Sequence, residues 1–258
     1  MMASISSIAT LGVDLSVGHV GYCIIKSSGR KKRTVWTGFS HELKKYGMKQ
    51  ERLFHQHTSN RLALVKKNHN GKRNRQLLQA ERMLIWHDWV GDMINEASSH
   101  GVEHVIIEDY AYAATTNSAA QQAEIGGVVR LRFLLRGFKV RTVMPSQLAK
   151  WIGHCPTKKE RCVHAYEMDF PIVAPAEKAK LVTLKKTKHG QDYDGPLTDM
   201  VDAFFLADML QWELALRAGR CTAAFLTDRQ REVFNATSPT MPENLLERPF
   251  LTFADLPW

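Results

Sequence analysis

Apolar residues recur along this chain with two different periods, and the switch between them outlines an α/β fold. Leu11 to Asp14, Gly21 to Ile25 and Arg33 to Phe39 read as three strands in a short-loop antiparallel meander, with Ser16-Val17-Gly18-His19 as the first turn. From about Gln76 to Ser98 the spacing becomes helical, with Leu78, Ile85, Trp86, Trp89, Val90, Met93 and Ala97 on one stripe and Gly101 ending the run. Val102 to Glu108 carries the continuous β-branched run Val105-Ile106-Ile107, the pattern of a strand covered on both faces. Asn117 to Arg136 predicts a second amphipathic helix closed by Gly137, and Phe138 to Met144 a further strand closed by Pro145. Shorter helices follow at Ser146 to Ile152 and Lys158 to Met168, the latter opened by Thr157 with Glu160 three residues on, a capping-box pair. Residues 171–197, rich in Pro, Lys and Gly, are expected to form a loop. The last strong helix is expected to start at Thr198 as its cap and to run toward Arg217, with Gly219 after it.

Four acids interrupt these apolar elements. Asp14 ends Ile8-Ala9-Thr10-Leu11-Gly12-Val13, Glu108 ends Val105-Ile106-Ile107, and Asp199 and Asp202 stand in the first turn of the last helix. A lone carboxylate at the edge of an apolar element loses hydration, so something must compensate it. Residues three apart on a helix share a face, so Asp199 and Asp202 project together. A helix N-terminus also favours such charge on its own account, through its unpaired N–H groups. Hard divalent cations bound by oxygen are the usual compensation for a set of this size.

Charge narrows the partner. The chain of 258 residues is 44% hydrophobic with a formal charge of +9, enough to bury one core with elaborations. Residues 26–75 alone hold 15 Lys and Arg against Glu42 and Glu51, a net of +13, while the remainder is net −4. Residues 40–75 lack clear periodicity and read as a basic insertion, in which Lys66, Lys67, Lys72 and Arg73 are candidate phosphate contacts. Cys23, Cys155, Cys162 and Cys221 have no framework spacing, as expected of reduced thiols, and His154-Cys155 with Cys162 and His164 matches no common zinc motif. No run of about 18 apolar residues or secretory signal is visible. The protein is therefore expected to be soluble and intracellular, in a bacterial cytoplasm or nucleoid, an organelle or a virus-infected cell, and not to meet a membrane.

Gly12-Val13-Asp14-Leu15-Ser16 with Gly21-Tyr22 beyond it, then Val105-Ile106-Ile107-Glu108, then Asp199-Met200-Val201-Asp202-Ala203 resembles the RuvC-type Holliday-junction resolvases of the RNase H-like superfamily. Gln121 to Arg130, with Gly126-Gly127, is similar to that family's glycine-bearing helix, and Val143 to Lys150 to its strand-then-Pro segment. The resemblance implies an RNase H-like α/β fold. Its mixed five-stranded sheet would join a three-strand antiparallel meander to parallel strands, flanked by helices. It places the nuclease domain at 8–217, with the basic insertion at about 40–75 and a C-terminal extension at 218–258.

Activity and partners follow from the same resemblance. It implies a metal-dependent endonuclease that acts as a homodimer on branched DNA, resolving four-way junctions by paired nicks that leave 5' phosphate and 3' hydroxyl ends. Asp14, Glu108, Asp199 and Asp202 would be the catalytic, metal-binding acids for two Mg²⁺ or Mn²⁺ ions roughly 4 Å apart. Lys150 lies one position beyond the slot where the family carries a Lys near the scissile phosphate, Ala149 filling that slot, while Lys158 and Lys159 fall about where its next Lys is expected; the aromatic that the family stacks on an unpaired base is Tyr110, Tyr112 or absent. Two other classes compete. A weakly catalytic or non-catalytic branched-DNA binding protein would keep the fold and the basic insertion. An actin-like ATPase or sugar kinase would share the first strand but needs a second Asp-Gly hairpin and a Gly-rich adenosine segment, neither visible here.

Overall fold

Every second residue of the first strand turns to the same side, and that alternation divides the molecule into two cores around one sheet. The computed structural model describes residues 7–15, 19–28, 32–41, 55–58, 75–109, 117–153, 155, 157–168, 170, 182–187, 190–237 and 243–256. Its strands are β1 (Ile8–Leu15), β2 (His19–Ser28), β3 (Lys32–His41), β4 (His55–Thr58), β5 (His104–Glu108), β6 (Lys139–Val143), β7 (Thr183–Thr187) and β8 (Gly190–Asp194). Its helices are α1 (Arg75–Ser99), α2 (Asn117–Leu135), α3 (Pro145–Ile152), α4 (Lys158–Glu167), α5 (Pro196–Arg217) and α6 (Asp228–Asn235).

The main sheet has the order β4-β3-β2-β1-β5-β6. Strand β2 runs against its neighbours β1 and β3, while β5 lies parallel to β1, β6 parallel to β5, and β4 parallel to β3. A meander continued by parallel strands on the β1 side is the RNase H-like arrangement that the resemblance implies. The sheet holds one strand more than the five expected. The sixth, β4, is four residues of the basic insertion added at the β3 edge, with His55 opposite Gly38. His-Gln-His-Thr is short and polar, without the alternation that marks a half-buried strand.

Along β1, Leu11, Val13 and Leu15 enter the first core beneath α1 and α2, with Val20, Tyr22 and Ile24 of β2 and Val105 and Ile107 of β5. The intervening Thr10, Gly12 and Asp14 face α5, as the period of two requires. Thr10 Oγ1 donates to the Ala207 carbonyl at 3.0 Å. Cys23, Ile25, Ile106 and Val143 on that same face join α3 to α6 in the second core. Of the four tryptophans on apolar faces, Trp86, Trp89 and Trp151 are buried as that position leads one to expect, while Trp212 is only partly buried against the second core.

Two glycines let α5 lie directly on the sheet. A Cβ at Gly12 would stand 2.1 Å from the Ala203 carbonyl oxygen, and one at Gly21 would stand 2.3 Å from the Asp199 carbonyl carbon. Any larger residue at either position pushes the helix away from β1 and β2, and with it the two turns that carry Asp199 and Asp202.

Two expectations along this stretch are corrected. Part of the expected loop at 171–197 is the hairpin β7–β8, pairing Thr183 with Asp194. Helix α5 begins at Pro196, not Thr198: Gly195 is the cap at φ 123, and the Thr198 hydroxyl donates to the Gly195 carbonyl at 2.7 Å instead of capping the helix. Proline presets the first helical φ, and only glycine adopts that cap geometry without strain.

After α5 the chain folds back onto the sheet. Val233 and Phe234 of α6 fill the second core, and Leu251 exchanges two backbone hydrogen bonds of 2.9 Å with Val140 at the outer edge of β6. Among the described residues no helix is long and apolar enough to cross a membrane.

Candidate active site

The strand register brings the first two acids together. Val13 pairs with Ile107 across the parallel β1–β5 contact, so Asp14 and Glu108 stand side by side near the ends of adjacent strands, on the α5 face. The first turn of α5 then supplies Asp199 over Gly21, and the next turn supplies Asp202 on the same face. Asp14, Asp199 and Asp202 are only 6%, 4% and 7% exposed. Carboxylates this buried and this close cannot all remain charged without compensation.

The structure shows two compensations. Asp14 and Glu108 share a hydrogen bond, and the Asp14 carboxyl is held well above the usual carboxylate range. Burial is the largest cause, followed by repulsion from Glu108, Asp199 and Asp202. Burial also raises Glu108, with Asp202 and Asp199 adding to the effect, while its bond to Asp14 and the charge of Arg161 oppose it. Two carboxyl groups bond to each other only through a proton, so the pair holds one between them. At Asp202 burial again raises the carboxyl, opposed by Arg161 and Lys158. Arg161 Nη1 donates to both oxygens of Asp202, at 3.1 and 3.2 Å.

Helix α4 is what aims these cations. Its capping box is the one expected, with Thr157 and Glu160 bonding each other's backbone N–H groups. Asp192 of β8 then accepts from the N–H groups of Lys158 and Lys159 at 3.3 and 3.1 Å. Lys158 Nζ donates to Thr198 Oγ1 at 3.3 Å, and that hydroxyl lies 3.4 Å from Asp199 Oδ1. The expected residues separate here. Lys158 stands beside the acids, whereas Lys159 lies over the Tyr193 ring and Lys150 pairs with Glu232 of α6 in an exposed contact. Tyr110, Tyr112, Lys66, Lys67, Lys72 and Arg73 lie outside the described residues.

Nothing in the sequence patterns singles out Arg161. Its one signal is position: it follows Lys158 by three residues, hence on the same face of α4.

The donor chemistry of the four acids fits a hard divalent cation, since all the ligands they offer are carboxylate oxygens. Among the described residues no three such groups already stand in a metal-holding arrangement. In this geometry a shared proton and a guanidinium occupy the lone pairs that a cation would take.

No family model matches the chain, and no curated protein matches it. Among solved structures it is similar to Thermus thermophilus RuvC in complex with a Holliday junction substrate, at 14% identity over 82% of this chain and 97% of that one, with a TM-score of 0.46. The yeast mitochondrial Holliday junction resolvase Ydc2 follows at 12% identity over 83% and 82%, TM-score 0.44. The Cas12f1–sgRNA–target DNA complex matches at 12% identity over 78% of this chain and 50% of that one, TM-score 0.38. The solved structures that this chain is similar to thus include members of the family that its motifs resemble. At these identities and scores the likeness bears on neither activity nor substrate.

Proposed function

We propose that the protein is a metal-dependent, structure-selective DNA endonuclease that resolves four-way junctions as a homodimer, by paired nicks leaving 5' phosphate and 3' hydroxyl ends. One observation carries the reading: four acids from two strands and a helix converge on one face of the sheet, three of them at a burial that folding alone disfavours. Asp14, Glu108, Asp199 and Asp202 would hold Mg²⁺ or Mn²⁺, which would activate water and stabilise the leaving 3' oxygen. The chain's own groups do the rest. Loss to solvent of the proton that Asp14 and Glu108 share would free the pair for ligation, the buried face excludes bulk water, and Lys158 beside Thr198 supplies positive charge for a phosphate.

The test is a labelled four-way junction against a matched linear duplex, incubated with Mg²⁺ or with EDTA. Wild type should nick the junction in Mg²⁺ only, and Glu108→Gln should lose that activity. Nicking that persists in EDTA, or that Glu108→Gln leaves intact, sinks the proposal.

The basic insertion would supply phosphate contacts. Replacing Lys66, Lys67, Lys72 and Arg73 together by Gln should flatten the plot of log affinity against log salt by up to about 4 units, at about 0.9 for each phosphate no longer neutralised. An unchanged slope, read by fluorescence anisotropy, assigns the phosphate-binding role elsewhere.

A further inference from the structure

Arg161 lies one turn beyond Lys158 on α4, and the metal chemistry proposed above gives it no role. Its contact to Asp202 runs through a single nitrogen that reaches both carboxylate oxygens. Nε of the same guanidinium is buried and meets no hydrogen-bond acceptor among the described residues. The pair is partly shielded from water, the side chains being 24% and 10% exposed. A guanidinium is a rigid planar fork of five donors, at its best when two of them meet two oxygens in parallel. At Asp202 that fork is used at one prong, and a desolvated donor is left over. The contact neutralises Asp202 without being the best partner for Arg161. A phosphodiester offers two equivalent anionic oxygens that such a fork takes side by side.

We propose that Arg161 occupies Asp202 until DNA arrives, competing with a divalent cation for that carboxylate, and that a phosphodiester of the bound strand draws it away. This rests on the nuclease reading of the acidic cluster. Arg161 is then a positioning residue, which keeps the ligand set closed in the absence of substrate and opens it in its presence. Cation and DNA become coupled through it. By linkage each raises the other's affinity by the same factor.

Isothermal titration calorimetry of the full chain with Ca²⁺ as the probe cation, with and without a saturating four-way junction, reads this coupling directly. In wild type the junction should tighten Ca²⁺ binding roughly tenfold, within the usual span of coupling energies. Arg161→Gln should bind Ca²⁺ alone roughly tenfold more tightly than wild type, with the coupling factor falling toward one. Arg161→Lys keeps the charge but not the fork and should fall between the two. Ca²⁺ affinity in both variants equal to or below that of wild type, or a coupling factor that neither changes, overturns the role of Arg161. Junction cleavage by wild type in Mg²⁺, run in parallel, separates the failures. Intact cleavage with unaltered Ca²⁺ binding removes the Arg161 mechanism alone, and absent cleavage together with absent cation binding removes the nuclease reading as well.

Discussion

Asp14→Asn eliminates junction cleavage and, in protein stripped of divalent cations, raises the melting temperature at neutral pH. Both effects come from one carboxyl. Asp14 is pushed well above the usual carboxylate range, first by burial and then by Glu108, Asp199 and Asp202. A carboxyl whose folded value is raised contributes stability in full below its unfolded value, and loses it as pH climbs through the window up to the folded value. Cation-free wild type should therefore weaken from the ordinary carboxylate range upward, while the Asn variant, which cannot ionise, loses this component of the slope. The Asn amide can also donate to Glu108 in place of the proton the two carboxyls share, so the replacement leaves no new orphan. A gain of roughly 1 kcal/mol corresponds to about 2–4 °C for a chain of this size.

Cation reverses the order. A ligand that binds only the folded state stabilises it by mass action, and it binds carboxylates more tightly where protons compete less. Mg²⁺ or Mn²⁺ should raise the wild-type melting temperature, and more at pH 8 than at pH 5, whereas Asp14→Asn should show little shift at either. Losing several kcal/mol of metal-dependent transition-state stabilisation lowers the rate by roughly three decades. Differential scanning fluorimetry at the two pH values, beside the junction assay, checks both halves. An Asn variant that melts lower than wild type without cation would mean that Asp14 is a structural partner and not a strained ligand.

Asp14 and Glu108 are legible in the sequence because each breaks a strong local pattern: a carboxylate ends a run whose other members are aliphatic, β-branched or small. Five strands of the main sheet and the helix pair α1 and α2 are legible for the same reason, since a period of two or of 3.6 is a local property. What escapes is short, polar or long-range. Strand β4 and the hairpin β7–β8, with Thr183-Leu184-Lys185-Lys186-Thr187, have no apolar face to announce them. The start of α5 is misplaced by sequence because Thr198 is a good cap by type, while Gly195-Pro196 two residues earlier does that work through backbone geometry. Arg161 is hidden because its partner stands 41 residues away. Gly12 and Gly21 read as turn or strand residues, and only the packing of α5 shows that the site depends on their missing side chains.

The largest loss of stability is expected far from the acids. Glu213→Ala should destabilise the protein by about 3–5 kcal/mol, the usual penalty for leaving a buried charge unpaired. Glu213 is fully buried on α5 and meets two arginines. Arg141 of β6 reaches it by Nη2 at 2.6 Å and by Nε at 3.3 Å, and Arg217 by Nε at 3.0 Å. The same guanidinium of Arg141 holds the carbonyls of Pro249 at 3.0 Å and Arg248 at 2.8 Å, and the Phe250 ring lies 4.3 Å from Arg141 and 5.0 Å from Arg217. The clamp thus ties α5, the β6 edge and the returning chain into one unit. Replacing all three charged residues by apolar ones, often harmless for a buried ion pair, would not be neutral here, because it orphans the carbonyls that Arg141 satisfies. The acidic cluster should be spared, since Asp202 precedes Glu213 by 11 residues, or roughly 16 Å along the helix. Below its melting transition the variant should keep wild-type cation affinity and cleavage rate, while its urea midpoint falls and the Val140 and Leu251 amides lose hydrogen-exchange protection ahead of β1. A midpoint equal to that of wild type would show that the tail is held by its apolar contacts alone; absent cleavage in the folded variant would show that the clamp reaches the site through α5.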